Sequence, residues 1–253
     1  IEPGLQLSTA SLDFQAVDAN TTSTPMTITL SNTGAADLIV SNIDTPTAPF
    51  TRSGGNCGAA PLTLSTSQSC TIEYQFSPTT TANFNQLINI QSNATTSPDS
   101  FELAGEGIEP TLQLSLTSLD FGSINTNTSS NAMTVTLSNT GPGQLIISNL
   151  DQPQIPFTSS GGTCGSLPIT LNNNQSCTLD YQFTPSAPGA FNQSIGIESN
   201  APSSPDAFSL SGNGLDINLS TDNSTLSFMF TAVGDIQMQT LTLTSNGVDD
   251  VVI

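Results

Sequence analysis

Few side chains in this 253-residue chain can do chemistry: four Cys, two Tyr, twenty Asp and Glu together, one Lys or Arg, and no His. The cysteines come as two copies of one pattern. CGAAPLTLSTSQSC runs from Cys57 to Cys70, and CGSLPITLNNNQSC from Cys164 to Cys177. A structural zinc site would want close Cys-x2-Cys pairs or histidines, and neither occurs. A nucleophilic thiolate would want a neighbouring base or cation to lower its pKa, which a chain without His or Lys does not offer. The pattern therefore reads as an intradomain brace, Cys57 with Cys70 and Cys164 with Cys177, in an oxidising compartment. Closing a loop of that size is worth about 3 kcal/mol in the chain-entropy model.

The carboxylates are the other candidates. Asp249 and Asp250 form the only adjacent acidic pair, and no Asp-x-Asp-x-Asp-Gly calcium loop exists. A calcium clamp at the module junctions would draw on Glu102, Glu106 and Glu109 near the first boundary and Asp216 near the second. Against it, Glu106 becomes Asn213 in the next copy, and solvated surface charge is the better reading. No cofactor is otherwise expected. Glycosidase chemistry would need two carboxylates facing each other in a cleft, usually beside aromatic platforms. Here there is no Trp, and Tyr74 and Tyr181 fall on inward positions, where they read as core residues with satisfied hydroxyls. Asp99 and Asp206 follow proline, where an Asp side chain caps its own backbone. Sequons at Asn20, Asn93 and Asn127 are expected by chance in so Asn-, Ser- and Thr-rich a chain.

Charge excludes further classes. The net charge is -19, and the one cation, Arg52, cannot neutralise a phosphate backbone or hold an anionic lipid surface. No nucleic acid is expected as a partner. No apolar run approaches the roughly 18 residues of a membrane helix, so membrane insertion is not expected either. Ile1 follows no basic and apolar leader, so the start reads as a processed end or a fragment boundary.

What must position these residues is a repeat. Residues 5–107 align with 112–214 at a constant offset of 107 without a gap, roughly 59 of 103 positions being identical. The chain divides into repeats at 1–107 and 108–214, with the start of a third at 215–253. There TLSF (225–228) parallels SLDF, LTLTSNG (241–247) parallels ITLSNTG, and the copy stops at VVI (251–253). Within a copy, Cys70, Ile72, Tyr74 and Phe76 alternate with Thr71, Glu73 and Gln75, the period of a half-buried strand. The same reading predicts strands at 11–15, 26–30, 37–43, 61–65, 70–76, 84–92 and 100–104, and no amphipathic helix. About seven short strands per 107 residues predict an all-β chain of tandem immunoglobulin-like sandwiches.

These residues resemble the bacterial choice-of-anchor D repeats, related to the abnormal-spindle and hydin (ASH) type of immunoglobulin-like domain in the PapD-like group. The resemblance rests on Ser11–Phe14, Leu30–Gly34, Cys57–Cys70, Tyr74–Pro78, Phe84–Ile88, Ser92–Ala94 and Gly105–Gly107, each present in both full copies. It implies a secreted or surface-anchored bacterial protein built of tandem modules, and supplies no catalytic residue. The near-total lack of Lys and Arg departs from that family.

Exposed strand edges are usually protected by lysine, and that device is missing. The expectation is therefore a non-enzymatic spacer, stalk or filament subunit whose modules self-assemble, the third copy being completed in cis or by a strand from another chain. The alternative is an adhesin whose loops bind a glycan or a protein.

Overall fold

The computed structural model describes residues 1–216, 218–228, 230 and 232–247. Residue contacts group the chain into two compact units, Ile1–Thr111 with Thr140–Leu145, and Leu112–Asn139 with Ile146–Ile253.

The first repeat contains nine strands: β1 (Leu5–Leu7), β2 (Ser11–Asp18), β3 (Met26–Asn32), β4 (Leu38–Ile43), β5 (Phe50–Gly54), β6 (Leu62–Leu64), β7 (Ser69–Phe76), β8 (Ala82–Ser92) and β9 (Asp99–Ile108). They form a four-stranded sheet in the order β1-β3-β7-β5 and a five-stranded sheet in the order β2-β9-β8-β4-β6. The second repeat has the same nine: β10 (Leu112–Leu114), β11 (Ser118–Asn125), β12 (Met133–Asn139), β13 (Leu145–Leu150), β14 (Phe157–Gly162), β15 (Ile169–Leu171), β16 (Ser176–Phe183), β17 (Gly189–Ser199) and β18 (Asp206–Leu215). Its sheets run β10-β12-β16-β14 and β11-β18-β17-β13-β15, so the chain is all-β with two immunoglobulin-like sandwiches in tandem.

Alternation builds the core, as period-two patterning requires. Ile28, Leu30, Ile72, Tyr74 and Phe76 from one sheet meet Leu38, Val40, Ile88, Ile90, Phe101 and Leu103 from the other, all essentially excluded from solvent. At one end Phe76 gathers Phe14, Phe50 and Phe84 at ring-centroid distances of 6.0, 5.0 and 5.6 Å. Phe183 does the same with Phe121, Phe157 and Phe191 at 6.0, 5.1 and 5.8 Å. Gly105 lies against the Phe76 ring so closely that a Cβ there would sit 2.8 Å from ring atoms. The first glycine of the repeat's Gly-x-Gly close is thus a packing requirement.

Two strands per repeat escaped the sequence reading. β1 is three residues long, and β5 (FTRSG) carries the Gly and Ser of a loop. Both are held as strands by pairing with β3 and β7. The third copy differs in the opposite sense. β19 (Leu219–Thr221) and β20 (Leu243–Ser245) pair antiparallel in the register of β1 with β3. TLSF at 225–228 forms no strand, and Leu226 and Phe228 are 41% and 58% exposed, where Leu12 and Phe14 are buried. The reason is topological: β2 is held by β9, some ninety residues later, and no described residue plays that part for the third copy. Residues 251–253 and the Asp249–Asp250 pair lie outside the described residues.

The edges are protected by geometry. β2 is bulged between Asp13 and Ala16, with Gln15 at φ 58°, and β5 is bulged between Arg52 and Gly54. β1 and β6, the remaining edges, are three residues each. Bulges and short strands both interrupt the ladder that a second chain would have to match.

Candidate functional site

The brace comes first. Cys57–Cys70 and Cys164–Cys177 are disulfides with Cα–Cα distances of 4.9 and 4.8 Å, each within one repeat and tying the loop before β6 or β15 to the start of β7 or β16. Their surroundings lock the loop. Cys57 N donates to Thr71 O at 2.9 Å, and the Asn56 side chain accepts from Thr71 N. In the second repeat Thr163 and Thr178 exchange the equivalent bonds. Arg52, the one cation, donates from its guanidinium to the carbonyl oxygens of Cys57 and Gly58. Sequence reading saw only that Arg52 was alone; its role depends on β5 running alongside this loop. The two disulfides point to an oxidising environment.

The carboxylates weighed for a junction calcium clamp are not gathered. Glu102 and Glu106 stand on the outer face of β9, four residues and therefore about 13 Å apart along the strand. Glu109 follows the end of β9, and Asp216 follows the end of β18. Among the described residues no group of three or more His, Cys, Asp or Glu is placed to hold a metal ion.

Both tyrosines lie in the cores, Tyr74 against Phe101 and Tyr181 against Phe208, each at 5.6 Å. The expectation of satisfied hydroxyls fails at Tyr74, whose buried Oη has no hydrogen-bond partner. Burial pushes both phenols up to about 12, with Arg52 opposing the rise at Tyr74. Asp99 and Asp206 do brace turns, but by a different bond from the one expected: they accept from the hydroxyls of Thr96 and Ser203, both at 2.9 Å. A neighbouring hydroxyl, three residues back, outcompetes the backbone. At Asp44, side-chain and backbone N–H donation from Asn89 holds the carboxyl below its usual range. The sequons separate. Asn93 is engaged with Ile39 N and Asp37 O, whereas Asn20 and Asn127 sit exposed in turns at φ 63° and 61°.

The residue sequence reading missed is Asn32, 1% exposed, within the quoted LSNTG. Its Nδ2 donates to Ala36 O (2.8 Å) and Leu64 O (2.9 Å), and its Oδ1 accepts from Gly34 N (2.9 Å) and, at 3.4 Å, Gly4 N. Asn139 holds Leu171 O in the same way. The available signal was its survival in both copies at an inward strand position, where a polar residue is out of place. Beside it, a Cβ on Gly34 would fall 2.4 Å from Glu2 O and Gly4 N, so the strand can pass its leading segment only with glycine there.

One surface feature recurs. Above the β2 bulge a shallow polar groove is lined by Asp13, Gln15, Asn83, Asn85 and Glu106 among others, and its counterpart by Asp120, Gly122, Asn192, Ser211 and Asn213 among others. Asp13 and Asn85 recur as Asp120 and Asn192. Of the ten outward positions of β8 and β9, only Asn85 is retained in the second repeat. On the opposite sheet the outward residues Thr27, Thr29, Ser31, Ser69, Thr71 and Gln75 all recur, and Glu73 becomes Asp180.

The model of the HYDIN/CFA65/VesB-like Ig-like domain matches residues 3–106 and again 110–213. The chain belongs to that family. Several solved structures are similar in fold alone. A protein of unknown function from Porphyromonas gingivalis W83 is 15% identical, with 83% of this chain and 99% of that one covered and a TM-score of 0.35. PapD-like domain 7 of human CEP192 is 16% identical over 42% of this chain and 86% of that one, with a TM-score of 0.31. The VesB protease of Vibrio cholerae is 11% identical over 41% of this chain and 31% of that one, with a TM-score of 0.34. No curated protein matches. Among the described residues no helix is long and apolar enough to cross a membrane.

Proposed function

We propose that this member of the HYDIN/CFA65/VesB-like family is a non-enzymatic spacer or stalk segment of an extracellular or cell-surface bacterial protein, close to the choice-of-anchor D repeats. The observation that carries the reading is that the cysteines, the one side-chain cation, both tyrosines and the turn carboxylates Asp99 and Asp206 are spent on the fold. All four cysteines are oxidised, Arg52 is bound to loop carbonyls, both tyrosines are in the cores, and Asp99 and Asp206 brace turns. The disulfides support an oxidising, extracellular setting. Assembly into a filament is the less favoured form of this reading, because the edges are bulged or short and chains at -19 repel one another at low salt.

The second reading, an adhesin, is favoured by the recurrent groove. Asp13 and Asn85 are retained as Asp120 and Asn192 while the residues around them change chemistry, as in two binding surfaces of different specificity. The class of ligand it suits is a neutral glycan or a protein that offers donors to Asp13 and Asn85. A glycan array and a self-association assay by sedimentation, both on the full chain, discriminate. The spacer reading expects no saturable binding and a monomer across the accessible concentration range. Saturable binding weakened by Asp13→Ala or Asp120→Ala overturns it in favour of the adhesin, and filaments in negative-stain micrographs overturn it in favour of assembly.

A further inference from the structure

The strands that open and close each repeat are neighbours, and the sense of their pairing decides how the repeat responds when its ends are drawn apart. β2 runs parallel to β9, with partners Ser11↔Glu102, Leu12↔Leu103 and Asp13↔Ala104 before the bulge and Ala16↔Glu106, Val17↔Gly107 and Asp18↔Ile108 after it. The ladder is prolonged at both ends. Glu102 N donates to Ala10 O at 3.0 Å, and Ala19 N donates to Ile108 O at 2.8 Å. β11 and β18 repeat the arrangement, with Ser209 N donating to Thr117 O at 3.0 Å and Thr126 N to Leu215 O at 2.9 Å.

Tension enters such a repeat at the N-terminal end of its first long strand and leaves at the C-terminal end of its last. In a parallel pair those two points lie at opposite ends of the ladder, so the strands are pulled past each other. The evenly spaced, slanted bonds of a parallel ladder then stretch together. Were the same two strands antiparallel, both pulling points would lie at one end and the bonds would open one at a time. β1, with three partner pairs on β3, is too short to carry the load once tension rises.

We propose that each repeat is a shear clamp and that the chain serves as a load-bearing tether. The proposal deepens the spacer reading and rests on it for its biological meaning. Rupture of β2 from β9 uncovers the core face of the five-stranded sheet at Leu12, Phe14, Phe101 and Leu103, so the barrier is set by the ladder and the packing beneath it. The disulfide then limits what is released: the 13-residue separation between Cys57 and Cys70 stays closed whatever happens to the strands around it. Each repeat is thus a stiff element with a capped extension.

The test is single-molecule force spectroscopy of the full chain, held at its two ends in oxidising buffer. Forced unfolding reads the unfolding barrier directly, separately from equilibrium stability. Two discrete ruptures are expected, each lengthening the chain by about 25–30 nm, the span from Ser11 to Ile108 less the closed loop at about 3.5 Å per residue. Dithiothreitol should lengthen each step by about 4–5 nm. Ala19→Pro with Thr126→Pro deletes one clamp donor per repeat and should abolish the high-force ruptures. Asn32→Ala, which removes hydrogen bonds to Gly4, Gly34, Ala36 and Leu64 and none to β2 or β9, should lower equilibrium stability and leave the rupture force of the first repeat in place. Smooth extension of the unsubstituted chain without steps of that length overturns the clamp, and does so even where the proline variant fails to fold. Asn32→Ala reducing the rupture force as much as the proline pair also overturns it. A chain that captures a glycan yet keeps both ruptures contradicts the spacer reading and leaves the clamp; one that binds nothing and extends smoothly does the reverse.

Discussion

Replacing Asn32 by alanine removes a single exposed-looking polar letter from LSNTG and should cost the first repeat a large part of its stability. The side chain makes three bonds of 2.8–2.9 Å, to Ala36 O, Leu64 O and Gly34 N, and a weak one of 3.4 Å to Gly4 N. The bond to Leu64 O is fully buried, and orphaning such a carbonyl costs about 1–3 kcal/mol. The two part-buried bonds near 3 Å add about 1 kcal/mol each, and the long one is discounted. The sum is about 3–5 kcal/mol, against the roughly 5–15 kcal/mol of a whole domain. With a urea dependence of about 1–1.5 kcal/mol/M for a sandwich of this size, the midpoint should fall by about 2–5 M. The chain has no Trp and one Tyr in each repeat, so a Tyr181→Phe background leaves Tyr74 fluorescence as a reporter of the first repeat alone. The second repeat, followed through Tyr181 in a Tyr74→Phe background, should unfold at an unchanged midpoint. A loss below about 1 kcal/mol in the first repeat would refute the assignment of these bonds as the reason a polar residue occupies a core position.

Gln15 sits at φ 58° in the β2 bulge, where the second repeat has Gly122 at φ 66°; Gln15→Gly should stabilise the first repeat by about 0.5–1 kcal/mol in the same denaturation assay, and a loss of stability would show that the Asp13 contacts outweigh the backbone strain. Both tyrosines titrate near 12 in the folded chain against 10.0 when free, so the folded state holds protons that the unfolded state releases: stability is full below about pH 10 and declines as pH rises toward 12. Absorbance at 295 nm should therefore rise together with loss of far-UV circular dichroism, and phenolate appearing in a folded chain at pH 10–11 would contradict the burial. Replacing both Cys57 and Cys70 by serine should cost the first repeat about 2–4 kcal/mol and leave the second untouched, whereas a loss shared by both repeats would mean that the brace is not local.

The offset of 107 residues, the period-two alternation from Cys70 to Phe76 and the Gly- and Pro-rich gaps were enough to place seven strands per repeat and to show that two sandwiches stand in tandem, because alternation and turn chemistry are local properties. Pairing is not local. Nothing in SLDF says that it lies parallel to a strand ninety residues on, so TLSF can match it in sequence and still form no strand among the described residues. FTRSG reads as a loop until β7 supplies its partner, and only then does Arg52 reach the carbonyls of Cys57 and Gly58. Asn32 could be noticed as a polar residue on an inward position, but its four partners come from the leading segment, its own loop and β6, segments that meet only when the two sheets close. The sequence by itself determined the repeat, the strand content and the spacing of the brace. Tertiary structure decided the parallel clamp, the bulged edges and the fate of each polar side chain, since those depend on which distant backbone arrives beside it and how much water that arrival excludes.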